Sequence, residues 1–429
     1  MSNKHRHIRQ VWGLARNPFP EAAIHQEGNP FSSGVFPDEY ECFLSNLVFG
    51  GVIDRRSFGF LWSKGPQNED TGFGKTTILR ESARTINADF GAEILRLNGM
   101  DDDELDEYAA VAAYAAVDTT NSTGVYPVLF SAAAYLADPH NGPGDGRSVI
   151  DVLRDRICDL QGIDPTDGGA VVDAIVATRR RLGPTLPPLR QDGLDALLSP
   201  RGAFADFLAG VSAASRIRSG LQFLDLVYTV ARAADVPHLF IFVDQLEDLA
   251  TNNSLAKARR TREVGRLRDI FLEDPYYAGH LHGILTLHVR AQTALDEMWY
   301  QNRLPSFDPN SAANAGSIVV LRGLRTEDQV RELLVAYLDE ERRGDGQGEL
   351  TPFEDSALAV LRESAAGRVG IILRYAHYLI DRAADAERET IDGSFASAIL
   401  SGTADEVQFS PPLALGAARD ARALDDILQ

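Results

Sequence analysis

An α/β fold with a parallel sheet, a helical insertion and an all-helical C-terminal segment is what this sequence predicts. Three observations carry that reading. An apolar run, Phe58-Gly59-Phe60-Leu61-Trp62, leads through a loop into Gly72-Phe73-Gly74-Lys75-Thr76-Thr77 and then a helical pattern from Ile78. A second run, His238-Leu239-Phe240-Ile241-Phe242-Val243, is apolar throughout and ends in Asp244, as a strand buried on both faces does. From Thr326 to about Ala398 the spacing is helical, broken at Gly344-Asp345-Gly346-Gln347-Gly348.

Composition narrows the classes. With 429 residues the chain can form two or three packed units. No apolar run approaches the length that spans a bilayer, and Met1 to His7 lacks the apolar core of a signal peptide. Cys42 and Cys158 alone exclude a disulfide framework and a cysteine-rich metal site. The expectation is a soluble, cytoplasmic protein with no membrane partner. A net charge of −20 excludes a surface basic all round, but nucleic acid binds to local patches. Two basic patches stand out: Lys257, Arg259, Arg260, Arg262, Arg266 and Arg268, and Arg179-Arg180-Arg181. For each, a solvated helix face is the alternative.

Taken in order, residues 1–50 read as an irregular arm, because proline and asparagine recur at Asn17-Pro18-Phe19 and Asn29-Pro30-Phe31. A helix is expected from Asp38 to Phe49, and the arm could lie across a bound base. Phe58 to Trp62 is the first strand, and Ala92 to Asn98 the expected second. Residues of about 101–236 are rich in alanine and leucine and read as a helical insertion. His238 to Val243 is the third strand, preceded by a helix over residues 223–234, a strand–helix alternation that predicts parallel pairing. Gly283 to His288 and Ser317 to Leu321 complete the core of 51–324. Residues 325–400 form the helical segment, and 401–429 a loosely held tail.

The chemistry lies at strand ends. Strand, glycine loop, Gly-Lys-Thr and helix form the context in which backbone N–H groups and a helix N-terminus cradle phosphates. Gly72, Phe73, Gly74 and Thr77 would line such a loop, Lys75 would reach the β- and γ-phosphates, and the Thr76 hydroxyl would serve Mg²⁺. The pattern departs from G-x-x-x-x-G-K-[ST] at Glu69, where a glycine is expected; Gly65-Pro66 lies further upstream and lengthens the loop. Asp244, at the carboxyl end of a buried strand, is a second Mg²⁺ candidate, with a plain helix cap as the alternative. Glu247 is the candidate water-activating acid, and Gln245, which can orient water but not take its proton, the positioning partner. Positive charge at the transferring phosphoryl group could come from Arg303 or Arg374, each of which could equally be a surface arginine.

In this order the features resemble the AAA+ and STAND branch of P-loop ATPases, over roughly residues 12–385. Gly72 to Thr77 looks like Walker A, and Phe240-Ile241-Phe242-Val243-Asp244-Gln245-Leu246-Glu247 like Walker B. Leu285-Thr286-Leu287-His288-Val289-Arg290 stands where sensor 1 would be, with His288 the sensing residue. Gly367-Arg368-Val369-Gly370-Ile371-Ile372-Leu373-Arg374-Tyr375 looks like a sensor 2 helix, although Gly370 holds the position of the usual arginine. The resemblance implies a P-loop NTPase core with a helical lid, ATP and Mg²⁺ as cofactors, and Arg303 acting as a finger on a neighbouring subunit. Initiator-loader ATPases, transposition regulators and phage-defence ATPases are the relatives it suggests, and Gly13 to Phe19 resembles a segment of secretion-associated ATPases of this clade.

The function expected is therefore an ATP-binding and ATP-hydrolysing switch. It would form a homo-oligomeric ring or filament through the nucleotide interface and act on DNA, through Lys257 to Arg268, or on a partner protein, in genome defence or mobile-element control. A nucleotide-stabilised scaffold with little hydrolysis is the alternative, favoured by Gln245 and Gly370. A P-loop kinase acting on a small molecule is a third, opposed by the lack of an acceptor-base constellation.

Overall fold

The computed structural model describes residues 3–21, 30, 33–63, 72–117, 124–184, 186–199, 202–246, 248–249, 256–343 and 346–402. The chain divides into two compact units. The larger comprises Asp38–Trp62 and Lys75–Val320, the smaller Met1–Pro37, Ser63–Gly74 and Leu321–Gln429.

A five-stranded parallel sheet organises the larger unit, with β1 (Phe58–Ser63), β2 (Ala110–Ala116), β3 (His238–Asp244), β4 (Leu281–His288) and β5 (Ile318–Leu321) in the order β2-β3-β4-β1-β5. The register pairs Ala116 with Asp244 and Val243 with Leu285. Every residue of β1 and β3 is buried, which explains their unbroken apolar patterns. The helix Lys75–Asp89 follows the glycine loop, and the stretch 37–53 is helical with a π-helical turn at Phe43–Phe49, in line with the helix expected there.

The second strand is not where the sequence suggested. Ala92–Leu97 is a helix. Gly91, at φ +82°, turns the chain just before it. Ile94 and Leu95 are both buried while Leu97 is 76 % exposed, which an alternating strand would not allow. The strand is instead the alanine run Ala110–Ala116, read as the start of a helical insertion; the helices of that region run between Val125 and Ala233. Alanine has little intrinsic preference for strands, but tertiary packing overrides propensity. Here small side chains let the helices Lys75–Asp89 and Val125–Ala137 both pack on β2. On the open edge of β2, the Asn87 side chain donates to Ala112 O and accepts from Ala112 N, both at 2.8 Å, so an amide stands in for a neighbouring strand.

In the smaller unit the four helices Glu327–Glu341, Asp355–Ser364, Val369–Asp385 and Gly393–Gly402 realise the expected helical segment. The N-terminal arm is not irregular throughout and packs on them. It opens with a helix, Asn3–Gln10, and its Lys4 pairs with Asp381. Trp12 is buried and donates to Glu389 O at 2.8 Å. Asn17 donates to Asp381 Oδ1 at 2.8 Å and His377 O at 3.0 Å, while its own Oδ1 accepts from Phe19 N. Phe19 then sits 5.9 Å from both the Tyr337 and Phe353 rings. The first Asn-Pro-Phe thus has a packing role; Asn29 and Phe31 of the second, and the tail beyond 402, lie outside the described residues.

At the amino ends of β3 and β4, His238, His280 and His282 meet. His282 Nδ1 is 2.6 Å from Arg56 O; a carbonyl only accepts, so Nδ1 carries the proton. His282 Nε2 therefore accepts from His238 Nδ1 at 2.9 Å. Burial holds His282 down to about 4 and His238 to about 2, the latter also through its histidine and arginine neighbours. Burial likewise lowers His280 to about 4. These groups are neutral in the fold, so their contribution is complete above the unfolded value of about 6.5 and is lost as pH falls toward 4. Each shifted histidine adds on the order of 1.4 kcal/mol per pH unit in that window. Denaturant midpoints should therefore drop steeply between pH 6.5 and 4, and a His282→Asn variant should flatten the slope.

Candidate functional site

Asp244 ends β3 and is 5 % exposed. A carboxylate so placed must be satisfied by donors, and four meet it. Oδ2 accepts from Thr76 Oγ1 at 2.5 Å and from the Tyr114 hydroxyl at 3.2 Å. Oδ1 accepts from Thr286 Oγ1 at 2.8 Å and from Gln245 N at 3.0 Å. Thr286 in turn accepts from Gln245 N at 3.1 Å. Donors from the post-loop helix, from β2, from β4 and from the chain immediately after β3 therefore converge on one group.

Each arrives for a local reason. Thr76 is in the first turn of the helix Lys75–Asp89, where hydroxyls and N–H groups face outward from the N-terminus. Ala116 pairs with Asp244, and Tyr114, two residues earlier on the same face of β2, reaches the carboxylate with its ring. Arg80, one turn after Thr76, stacks its guanidinium 4.6 Å from the Tyr114 ring centroid. Burial raises the Tyr114 phenol well above its ordinary value and the Asp244 charge adds to the rise, so the group remains a donor at any ordinary pH. Gln245 is exposed and has φ +58°, a left-handed conformation that is uncommon for a side chain larger than glycine. Its N–H is turned back on Asp244 and Thr286.

Among the sequence candidates, Thr76, Asp244 and Gln245 are brought together. His288 ends β4 and is partly buried. Because β4 lies between β1 and β3, His288 is flanked by the strands that lead to the glycine loop and to Asp244. Lys75 and Thr77 are partly buried in the first turn of their helix. Arg303 is exposed, at φ +53°, just past the helix Val289–Gln301. Glu247 lies outside the described residues, as does the loop from Lys64 to Thr71.

In the smaller unit, Gly72 and Gly74 have φ +83° and +84°, which only glycine adopts without strain, and Phe73 between them is 1 % exposed. Gly370 N donates to Gly72 O at 2.9 Å, so the start of the helix Val369–Asp385 touches the loop where the resemblance would have put an arginine. Arg374, on that helix, is partly buried, and burial lowers its guanidinium below the ordinary value.

Both basic patches shrink. Arg179 is buried in an ion pair with Asp225 at 3.0 Å and lies 4.3 Å from the Tyr276 ring centroid, so it is a packing residue. Along Lys257–Arg268, Lys257 pairs with Glu297, Arg266 with Glu263 and Arg268 with Glu273. Arg259 and Arg262 remain exposed. Among the described residues no cluster of histidine, cysteine and carboxylate side chains could hold a metal by itself, and no helix is long and apolar enough to cross a membrane.

Tyr114, Thr286 and Arg80 were not anticipated. Tyr114 had a signal: it is the one side chain other than alanine or valine in Ala110–Ala116, a run assigned to a helix. Thr286 sits on a correctly expected strand, two residues before His288, which drew the attention instead.

No family model and no curated protein matches this chain.

The strained turn gives a direct test. Gln245→Gly should raise stability by about 0.5–1 kcal/mol by relieving the positive φ, whereas Gln245→Val should lower it by about 1–2 kcal/mol. Equal denaturant midpoints for the two variants would show that the turn relaxes freely.

Proposed function

We propose that the chain is a nucleoside-triphosphate-binding switch of AAA+/STAND type. The observation that carries this reading is the 2.5 Å contact between Thr76 Oγ1 and Asp244 Oδ2. Two residues 168 positions apart in sequence, one the threonine of Gly-Lys-Thr and one ending a buried strand, place hard oxygen atoms side by side. Such a pair suits Mg²⁺, which binds through one or two protein oxygens and completes its shell with water and phosphate.

In this reading the glycines at positive φ free backbone N–H groups for phosphate, Lys75 adds charge, and Thr76 with Asp244 hold the cation. The cation would neutralise phosphate charge. Gln245 would orient a water beside Asp244, and Glu247 is the proposed base. Arg303, exposed beyond its helix, is free to meet a neighbouring subunit in a ring or filament. Arg259 and Arg262 offer two exposed cations for the phosphates of DNA, and a protein client is the other partner class. Genome defence is the setting the resemblance suggests.

A fluorescent ATP analogue should bind the purified chain in the presence of Mg²⁺. Lys75→Ala should weaken it about tenfold or more, roughly 1.4 kcal/mol, and Asp244→Asn should remove the increment that Mg²⁺ supplies. A wild-type chain that fails to bind any nucleotide would sink the reading.

A second reading, a nucleotide-stabilised scaffold with little turnover, is favoured by the glutamine directly after Asp244, where the chain has no carboxylate. Phosphate release that Glu247→Gln abolishes would decide for hydrolysis.

For DNA, the double variant Arg259→Glu, Arg262→Glu should lose most of its affinity for duplex, with a shallower salt dependence. Unchanged affinity would eliminate this helix as the contact.

A further inference from the structure

We propose that Tyr114 is a positioning residue for the candidate cation site, holding the Asp244 carboxylate in the orientation that Mg²⁺ beside Thr76 requires. The proposal rests on the nucleotide-binding reading above and extends it to a residue on a different strand.

An aspartate carboxylate turns about a broad, two-fold torsion, so its orientation at the end of β3 is set by its hydrogen bonds. The two donors to Oδ1, Thr286 and Gln245 N, also bond one another and form a self-contained corner. Oδ2 faces the helix Lys75–Asp89 and has Thr76 and Tyr114 as donors. Thr76 is the mobile member of that pair in chemical terms, because its hydroxyl lone pairs are what a cation would recruit. Tyr114 has no such second duty, and its bond can persist whether or not the cation is present.

The ring is itself held. It projects from β2 at a position fixed by the pairing of Tyr114 with Phe242 and Ala116 with Asp244. The Arg80 guanidinium covers one side at 4.6 Å, and the Tyr135 ring lies 6.4 Å away. Stacking of this kind favours a fixed ring over a rotating one. Arg80 and Thr76 lie one turn apart on the same face of one helix. One helix therefore carries both a candidate cation ligand and the group that steadies the phenol aimed at the opposing ligand. A carboxylate oxygen only accepts, so the phenol hydroxyl at 3.2 Å is the donor of this bond.

The test compares the wild-type full chain with Tyr114→Phe, which retains the ring and its stacking. Affinity for the fluorescent ATP analogue is measured in EDTA and across a Mg²⁺ titration, alongside the thermal midpoint. The expected result is an unchanged affinity in EDTA, a thermal midpoint within a few degrees, and a Mg²⁺ half-saturation point raised about three- to tenfold, the size of one lost hydrogen bond. An identical Mg²⁺ titration for both proteins overturns the proposal. So does a parallel loss of affinity with and without Mg²⁺ together with a lowered thermal midpoint, which would make the phenol structural only. A wild-type chain that binds nucleotide indifferently to Mg²⁺ removes the positioning role but leaves nucleotide binding standing. One that binds no nucleotide removes both.

Discussion

The larger unit depends on one constraint: a carboxylate buried at the end of a parallel strand must be fully hydrogen-bonded. Leaving such a group without partners costs several kcal/mol. Asp244 meets the requirement with donors from four places in the chain, and each donor fixes something else. Thr76 ties the first turn of the post-loop helix to the sheet. Tyr114 ties β2, and Thr286 ties β4, so the relative register of three strands is read out at one point. Immediately after it, Gln245 takes a left-handed conformation while its N–H faces Asp244. Strain of this kind persists where the surroundings over-determine it, and such places are enriched in functional sites.

The two ends of the sheet solve the problem of buried polarity in opposite ways. At the carboxyl ends a charge is retained and surrounded by neutral donors. At the amino ends three titratable rings are kept neutral, two of them joined by a shared proton and anchored on the Arg56 carbonyl. A protonated His282 would face the His238 N–H with a second donor, so the arrangement has one workable protonation state. Electrostatics at the carboxyl end remain available for a cation, whereas the amino end is closed to charge. This polarity agrees with the general rule that open α/β sheets carry ligands at the carboxyl ends of their strands.

Much of this was legible in the sequence, for identifiable reasons. β1 and β3 are mainly apolar and buried throughout, and β4 and β5 are mainly apolar, with His282 and Thr286 the buried polar exceptions in β4. Thr76 and Asp244 were readable because their types and spacing follow a chemistry that admits few substitutes. β2 was hidden because its residues were selected for small volume, to admit a helix on each face, and alanine by itself signals helix. Losing β2 meant losing Tyr114, since a tyrosine in a supposed helix has no reason to face a strand end. The partner of Arg179 was hidden for a different reason: Asp225 lies 46 residues away in sequence. No composition window joins that pair, whereas Glu263, the partner of Arg266, lies three residues from it on the same helix.

The arrangement around Asp244 also bears on how a switch could work. A carboxylate held by four donors costs little to keep in place, so cation binding need not reorganise it. On the proposed reading only Thr76 would change its role, offering its lone pairs while its proton still points to Oδ2. Thr76 opens the helix whose later residues, Arg80 and Asn87, grip Tyr114 and the backbone of Ala112 respectively. On the proposed reading, a shift of that first turn would be carried along the helix to the edge strand of the sheet. Packed elements respond to such displacements as units, not by local deformation. The edge strand β2 is thus linked to the helix of Thr76 through Arg80 and Asn87, beside the direct bond from Thr76 to Asp244 on β3.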